Sequence, residues 1–225
     1  MVFVMHNIYY FLNIISVIVA AVIAIYGYKA YKLTHEKKYA FFGLSFLLQF
    51  IGYIILITAF IVHKTTTYLF PGAVPEAIKN IVPLYHSIYG VYILFTLIAY
   101  TLFILIYSEI HEKAELTLIG FLILALMYPA YHSFRFFNAV VIGLLLFVIY
   151  YQLMNYKEKK ELNKLIVILA FILFLASHLV LFFLGPTTGV VALAYTIQLF
   201  SFLLFLIIVL RIELKWQQKE DQKLK

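Results

Sequence analysis

The chain contains no cysteine and few charged residues. Of its 225 residues, none is Cys and only 12% are Asp, Glu, Lys or Arg. Without cysteine, disulfide bonds, thiolate metal sites and cysteine nucleophiles are all excluded. Soluble domains carry about 25% charged residues. The low charge, together with 65% hydrophobic residues and a mean hydropathy of +1.02, therefore predicts an integral membrane protein.

Long apolar runs make up most of the chain. A helix needs about 20 apolar residues to cross the hydrocarbon core of a bilayer, and seven runs approach or exceed that length. They are roughly residues 8–28, 40–62, 82–107, 115–131, 136–154, 165–184 and 187–210. The sequence thus predicts an all-α fold, a single seven-helix transmembrane domain over residues 1–225, in which the short fourth span ends near Pro129.

Basic residues are distributed unequally between the two sides of this bundle. Fourteen of the seventeen Lys and Arg residues follow spans one, three, five or seven, and only Lys64, Lys79 and Arg135 lie on the other side. Because basic residues are enriched in cytoplasmic loops, we expect the N-terminus outside the cell and the C-terminus in the cytoplasm. The charge of +7 then faces lipid head groups. Without a basic domain, no nucleic acid binding is expected.

The two halves of the chain resemble each other. An E-K-K run precedes spans two and six, and Pro83 and Pro186 open spans three and seven. Three helices, a linker helix and three more helices are the layout of a parallel repeat. This 3+1+3 layout is similar to that of SWEET-type sugar carriers. The proline-glutamine signature of the related PQ-loop carriers is absent from this chain. The N-out, seven-helix arrangement resembles the membrane-sensing regions that precede histidine kinases. No residue roles follow from either resemblance.

Several chemical functions lack the residues that they need. No Asp, Glu, Lys or Arg lies in the middle of a span, which argues against ion-coupled transport and proton pumping. Span seven has no lysine, so retinal cannot form its Schiff base there. Both His-Glu pairs lack the second histidine of the HExxH zinc motif, and hydrolase and nucleotide-binding patterns are absent. The sequence therefore favours a non-enzymatic protein.

Polar and half-polar side chains form stripes at helical spacing on spans two, three and seven. Because polar groups in lipid turn toward the bundle interior, these spans are predicted to enclose a site for a small ligand. The candidate ligand-binding residues are Gln49, Tyr89, Thr96, Tyr100, Tyr195 and Gln198. The leading hypothesis is a membrane module that binds a ligand or a membrane-protein partner, with a sensory role. Carriage of a small neutral solute and a passive assembly subunit are alternatives, and the stripes could also serve helix packing alone.

Two histidines suggest a redox alternative. His86 lies three residues after Pro83 and His178 six residues before Leu184, so both can reach a similar depth. Two imidazoles at one depth could ligate haem b axially or hold a transition metal. Gly90, one turn below His86, would let a macrocycle approach. The alternative for both histidines is a hydrogen bond in the bundle interior.

His63 and His132 end spans two and four and are candidate metal ligands. Neither has a closely spaced histidine partner or a nearby acidic residue to orient it. Their alternative role is that of a polar anchor at the membrane interface.

Overall fold

The computed structural model describes the backbone of residues 2–69, 75–107, 113–158 and 160–223, and the side chains of residues 11–58, 61, 87–107, 117, 119–158, 160–187 and 189–214. Within these residues the chain forms seven α-helices and no β-strand. They are α1 (Val2–Thr34), α2 (Lys37–Leu69), α3 (Pro75–Tyr107), α4 (Lys113–His132), α5 (Phe134–Glu158), α6 (Leu162–Leu184) and α7 (Thr188–Lys223). The predicted all-α fold is confirmed for this part of the chain.

Six of these helices are long and apolar enough to cross a membrane. α1, α2, α3, α5, α6 and α7 each contain a suitable stretch of 21 to 26 residues. In α4 the apolar stretch is shorter and runs over Ile119–His132, and Pro129 lies inside it. The chain is therefore a helical, multi-pass membrane protein, whereas the crossing by α4, and with it the count of seven spans, stays a prediction.

Two of the helix connections depend on residues with a positive φ angle. His35 has φ 55°, and its N–H donates to the Tyr31 carbonyl at 2.8 Å, which ends α1. Gly185 has φ 75°, and its N–H donates to the Leu181 carbonyl at 3.1 Å. Glycine adopts this conformation without a Cβ clash, and Pro186, which follows it, cannot continue the helix. These local signals separate α1 from α2 and α6 from α7.

The helices form a ring of six, and α4 lies outside it. Around the ring, α1 packs on α2, α2 on α3, α3 on α5, α5 on α6, α6 on α7, and α7 on α1, whereas α4 packs on α3 and α5. α1 crosses α2 at Gly27 and Gly43, where a Cβ on Gly27 would lie 2.7 Å from the Gly43 Cα. Near this crossing, Lys29 Nζ is 3.1 Å from Glu213 Oε1 and joins α1 to α7. We call this end of the bundle, where α1, α5 and α7 finish, the basic end.

Six phenylalanines fill the ring interior on the side of the basic end. They are Phe46, Phe103, Phe171, Phe174, Phe202 and Phe205, and we call them the phenylalanine layer. All six are fully buried, and their ring centroids approach each other to 5.3 Å for Phe46 and Phe205 and to 4.9 Å for Phe171 and Phe205. Aromatic pairs in such arrangements contribute about 0.5–1.5 kcal/mol beyond area burial. The layer is therefore a packed core that closes the ring interior.

Candidate functional site

Polar side chains collect on the side of the phenylalanine layer that faces away from the basic end. On α2, α3, α6 and α7 alike, a polar residue lies about one helical turn beyond a phenylalanine of the layer. We call this group the polar cluster. It consists of Gln49 and Tyr53 on α2, Thr96 and Tyr100 on α3, Asn138 on α5, His178 on α6, and Tyr195 and Gln198 on α7.

His178 is hydrogen-bonded through both nitrogens of its imidazole ring. Its Nδ1 is 2.9 Å from Asn138 Oδ1, and its Nε2 is 3.1 Å from Tyr100 Oη. Asn138 Nδ2 in turn donates to the Phe134 carbonyl at 2.7 Å. His178 is only 4% exposed, and Asn138 and Tyr100 are fully buried. One imidazole thus joins α3, α5 and α6 inside the bundle.

These contacts fix the direction of each proton. An amide nitrogen can only donate, so the bond from Nδ2 to the Phe134 carbonyl leaves Asn138 Oδ1 as the acceptor. His178 Nδ1 must then carry the hydrogen and donate to Oδ1. In a neutral imidazole the other nitrogen accepts, so the Tyr100 hydroxyl donates to Nε2. The Tyr100 oxygen therefore faces the rest of the bundle only as an acceptor.

Gln49 brings a buried donor to the same place. Its side chain lies beside the Tyr100 hydroxyl and is 2% exposed. Its contact with Tyr100 is a loose hydrogen bond, because Gln49 Nε2 has no partner at full hydrogen-bond geometry among the residues that the structure describes. A buried polar group without a partner costs about 1–3 kcal/mol. In a native structure such a group requires an explanation, and a bound molecule is one.

A second hydrogen bond links α2 to α7 within the cluster. Gln198 Nε2 donates to Tyr53 Oη. The Tyr53 ring also contacts the rings of Tyr92 and Tyr195, with centroid distances of 6.2 and 6.4 Å. The cluster thus has a hydrogen-bonded centre at Tyr100 and an aromatic side at Tyr53.

The structure brings most of the predicted ligand-binding residues together. Gln49 and Tyr100 are neighbours, and Tyr195 and Gln198 both contact Tyr53. Thr96 is buried with them, but its hydroxyl donates to the Tyr92 carbonyl of its own helix at 2.8 Å. Tyr89 is half-buried and packs against Tyr92, with ring centroids 5.9 Å apart. Their role in ligand binding stays a prediction.

The three other candidate histidines are placed less completely. The side chains of His63 and His86 lie outside the described residues. His132 is exposed at the end of α4, with its ring 4.6 Å from that of Tyr128 and 5.0 Å from that of Tyr131. Among the described side chains, no group of three His, Asp or Glu residues could hold a metal ion. The metal role of His63 and His132 stays a prediction.

Haem ligation by His86 and His178 also stays a prediction, and the geometry sets conditions on it. Each ring nitrogen of His178 already has a partner, so ligation of iron would require the release of Tyr100 or Asn138. The space beside Gly90 is taken, because a Cβ at that position would lie 3.3 Å from Tyr131 Cδ2. A macrocycle on this face of α3 would therefore have to displace a side chain of α4.

The sequence analysis missed Asn138, Tyr53 and Tyr92, and it placed no site residue on span five, which carries Asn138. Asn138 is nevertheless the only amide between Phe134 and Tyr151. An amide that is buried in hydrocarbon without a partner is costly, and this was a sufficient signal for an interior contact. Tyr53 follows Gln49 by four residues and so lies on the same helix face.

A groove between α3, α4 and α5 differs from the cluster in its chemistry. It has a volume of about 230 Å³, and Leu97, Ile123 and Leu144 are among its lining residues. Apart from Thr101 and Tyr151, its lining is apolar. The groove therefore suits hydrocarbon and not a polar ligand.

Comparison with known proteins gives no match: no protein-family model, no curated protein and no solved structure is significantly similar to this chain.

Proposed function

We propose that this chain is a non-enzymatic membrane protein that binds a small neutral ligand in the polar cluster and serves as a sensor. The observation that carries the proposal is the buried Gln49 Nε2, which has only a loose contact with the Tyr100 oxygen and no partner at full hydrogen-bond geometry among the described residues. It lies beside Tyr100, whose proton is committed to His178. A ligand that accepts a hydrogen bond from Gln49 removes the cost of this buried donor.

The charge of the interior supports a neutral ligand. The buried side chains that the structure describes include twelve polar residues, and none of these is Asp, Glu, Lys or Arg. A charged ligand would lose its hydration without gaining a counter-ion, which costs several kcal/mol in real proteins. Ligands of this site are therefore neutral molecules with hydrogen-bonding groups.

The position of the cluster supports a sensory role. Its residues come from α2, α3, α5, α6 and α7. A ligand that contacts Gln49 and Tyr100 touches α2 and α3 directly, and through His178 it reaches α5 and α6. Binding can then favour one arrangement of these helices over another, which is the requirement for a signal.

The orientation in the cell membrane is part of the proposal. We place the N-terminus outside and the basic end, with the C-terminus, in the cytoplasm, because fourteen of the seventeen Lys and Arg residues then lie inside. In this orientation the polar cluster occupies the outer half of the bundle. A ligand from outside the cell then reaches it without passing the phenylalanine layer.

Thermal unfolding of the purified protein in detergent tests this function. We expect a compound from a panel of small alcohols, polyols, sugars and amides to raise the melting temperature of the wild type and not that of Gln49→Leu. At 100 times its Kd, a ligand stabilises the folded state by about 2.7 kcal/mol. Ser45→Ala is the control, because the Ser45 hydroxyl donates to the Phe41 carbonyl of its own helix. Equal shifts in wild type and Gln49→Leu would place the binding elsewhere.

A carrier is the second candidate, and the order of helices around the ring favours it. α1, α2 and α3 are followed around the ring by α5, α6 and α7, with α4 outside. A rotation of 180° about the ring axis would therefore exchange α1, α2 and α3 with α5, α6 and α7, and this is the relation that a 3+1+3 repeat predicts. If proteoliposomes take up more labelled glucose or glycerol than empty liposomes do, the chain is a carrier of neutral solutes and the sensor hypothesis is wrong.

A further inference from the structure

We propose that the groove between α3, α4 and α5 binds one acyl chain of a membrane phospholipid. The groove has a volume of about 230 Å³. None of its lining residues belongs to the polar cluster, so this inference is independent of the proposed function.

The groove arises because the two parts of α4 approach the ring differently. Near the end of α4 the contact with α3 is close, since a Cβ on Gly90 would lie 3.3 Å from Tyr131 Cδ2. Toward the basic end, the stretch of α4 from Ile119 to Leu126 lines the groove. Pro129 lies between these two parts, and a proline inside a helix kinks it. The first part of α4 is therefore held away from α3, and a space remains.

The groove lies at the depth of the hydrocarbon core. Its lining residues on α3 and α5 all fall within Ser87–Tyr107 and Phe134–Glu158, which are long and apolar enough to cross a membrane. Nine of its eleven lining residues are apolar, and the Thr101 hydroxyl already donates to the Leu97 carbonyl at 2.8 Å. A buried water needs two to four polar partners, so an apolar space stays dry. The hydrocarbon of the bilayer is then the medium that fills it.

The shape of the groove suits a single chain. Its lining on α3 runs from Leu97 to Ile104, which is about 10 Å at helical rise. An apolar cavity of about 150 Å³ holds a benzene molecule, so the larger groove accommodates several methylene groups in a row. Its floor residues Leu97 and Thr101 are buried, whereas Leu122 and Phe147 at its rim are exposed. A chain can therefore enter sideways from the bilayer without a helix movement.

The lipid belongs to the leaflet at the basic end. Tyr151 is the lining residue of α5 nearest that end, and tyrosine is enriched at the membrane interface. Six residues further along, Lys157 is exposed, and Lys160 is exposed beyond it, with Glu158 between them. Every phospholipid carries a negatively charged phosphate. A lysine near the head group therefore stabilises the lipid while its chain lies in the groove.

Photolabelling in liposomes tests this inference. The full chain is reconstituted with a phosphatidylcholine that carries a diazirine in one acyl chain, and labelled residues are located by mass spectrometry after irradiation. Lipids that surround the protein label exposed residues such as Leu146 and Phe200. We expect additional labelling of the floor residues Leu97 and Thr101, because a chain in the groove reaches them. Val148, which is fully buried and does not line the groove, should stay unlabelled.

Two variants of α4 form a matched pair. Ile123→Trp places a larger side chain in the groove, whereas Leu124→Trp places it on the exposed face of the same helix. We expect Ile123→Trp to lower the floor labelling at least severalfold and Leu124→Trp to leave it unchanged, with equal helical circular dichroism. Labelling confined to exposed residues in the wild type, or equal floor labelling in both variants, would overturn the inference. Disulfide-linked dimers of Leu122→Cys without floor labelling would also overturn it and assign the groove to a second copy of the chain.

Discussion

The hydrogen bond between Asn138 and His178 predicts an energetic coupling between α5 and α6. We consider Asn138→Leu and His178→Leu, singly and together. Asn138→Leu removes the acceptor of His178 Nδ1–H, which is then buried without a partner at a cost of about 1–3 kcal/mol. His178→Leu leaves both Asn138 Oδ1 and the Tyr100 hydroxyl without their partner, so it should lower the free energy of unfolding more.

The size of the coupling follows from burial. Hydrogen bonds between transmembrane helices contribute about 0.6 kcal/mol on average and about 1.7 kcal/mol at most in double-mutant cycles. Asn138 and His178 are 0% and 4% exposed, so water cannot easily replace either partner. We therefore expect a coupling near the upper value, about 1–1.5 kcal/mol. The double variant should be less destabilised than the sum of the single variants by this amount.

Unfolding in mixed micelles with increasing dodecyl sulfate, followed by loss of helical circular dichroism, measures the four free energies. The control cycle combines Asn138→Leu with Thr101→Val. Thr101 is adjacent to Tyr100 in sequence, but its hydroxyl bonds only to its own helix, so these two changes should be additive within about 0.3–0.5 kcal/mol. Additivity between Asn138→Leu and His178→Leu would refute the inferred network.

Three other predictions test the packing, the closure of the ring and the topology. Gly27→Ala places a Cβ 2.7 Å from the backbone of α2 and should lower the free energy of unfolding by about 1–3 kcal/mol. Gly143→Ala is the control: the Cβ added there meets nothing within 4 Å, so this change should be neutral or stabilising in the same unfolding assay. Lys29→Cys with Glu213→Cys, in a chain that has no other cysteine, should be crosslinked by a short bifunctional maleimide; an absence of crosslinking would contradict the contact of α1 with α7. Lys160→Cys should react with an impermeant maleimide only after the cells are permeabilised, and labelling of intact cells would reverse the proposed orientation.

The helices and their interior faces could be predicted from the sequence because both follow from local rules. Apolar length defines the long helices, and helical periodicity groups the polar residues of each on one face. On α2 the predicted stripe includes Gln49, which is buried. On α3 the predicted face includes Thr96 and Tyr100, which are buried as well. Because hydrocarbon excludes polar groups, each stripe could be predicted to face the bundle interior without knowing which helices lie beside it.

The partners of these stripes could not be predicted, because periodicity within one helix does not specify which helix packs beside it. His178 bonds to Asn138, 40 residues earlier, and to Tyr100, 78 residues earlier. The first contact depends on α5 packing against α6, and the second on α3 lying near α6 with α4 outside the ring. Sequence reasoning expected a site between spans two, three and seven, whereas the structure completes the cluster with α5 and α6.

A sensor and a carrier make different demands on the phenylalanine layer. Tyr100 contacts Phe174 of the layer at a centroid distance of 5.8 Å, and Tyr53 contacts Phe202 at 6.1 Å. A ligand that moves either tyrosine therefore shifts rings that reach toward the basic end. Because packed interiors transmit strain, a sensor works with this layer closed. A carrier has to open it and separate ring pairs such as Phe171 and Phe205, at about 0.5–1.5 kcal/mol for each pair. We therefore expect the closed layer to hinder passage of a solute, whereas the proposed sensor does not require it to open.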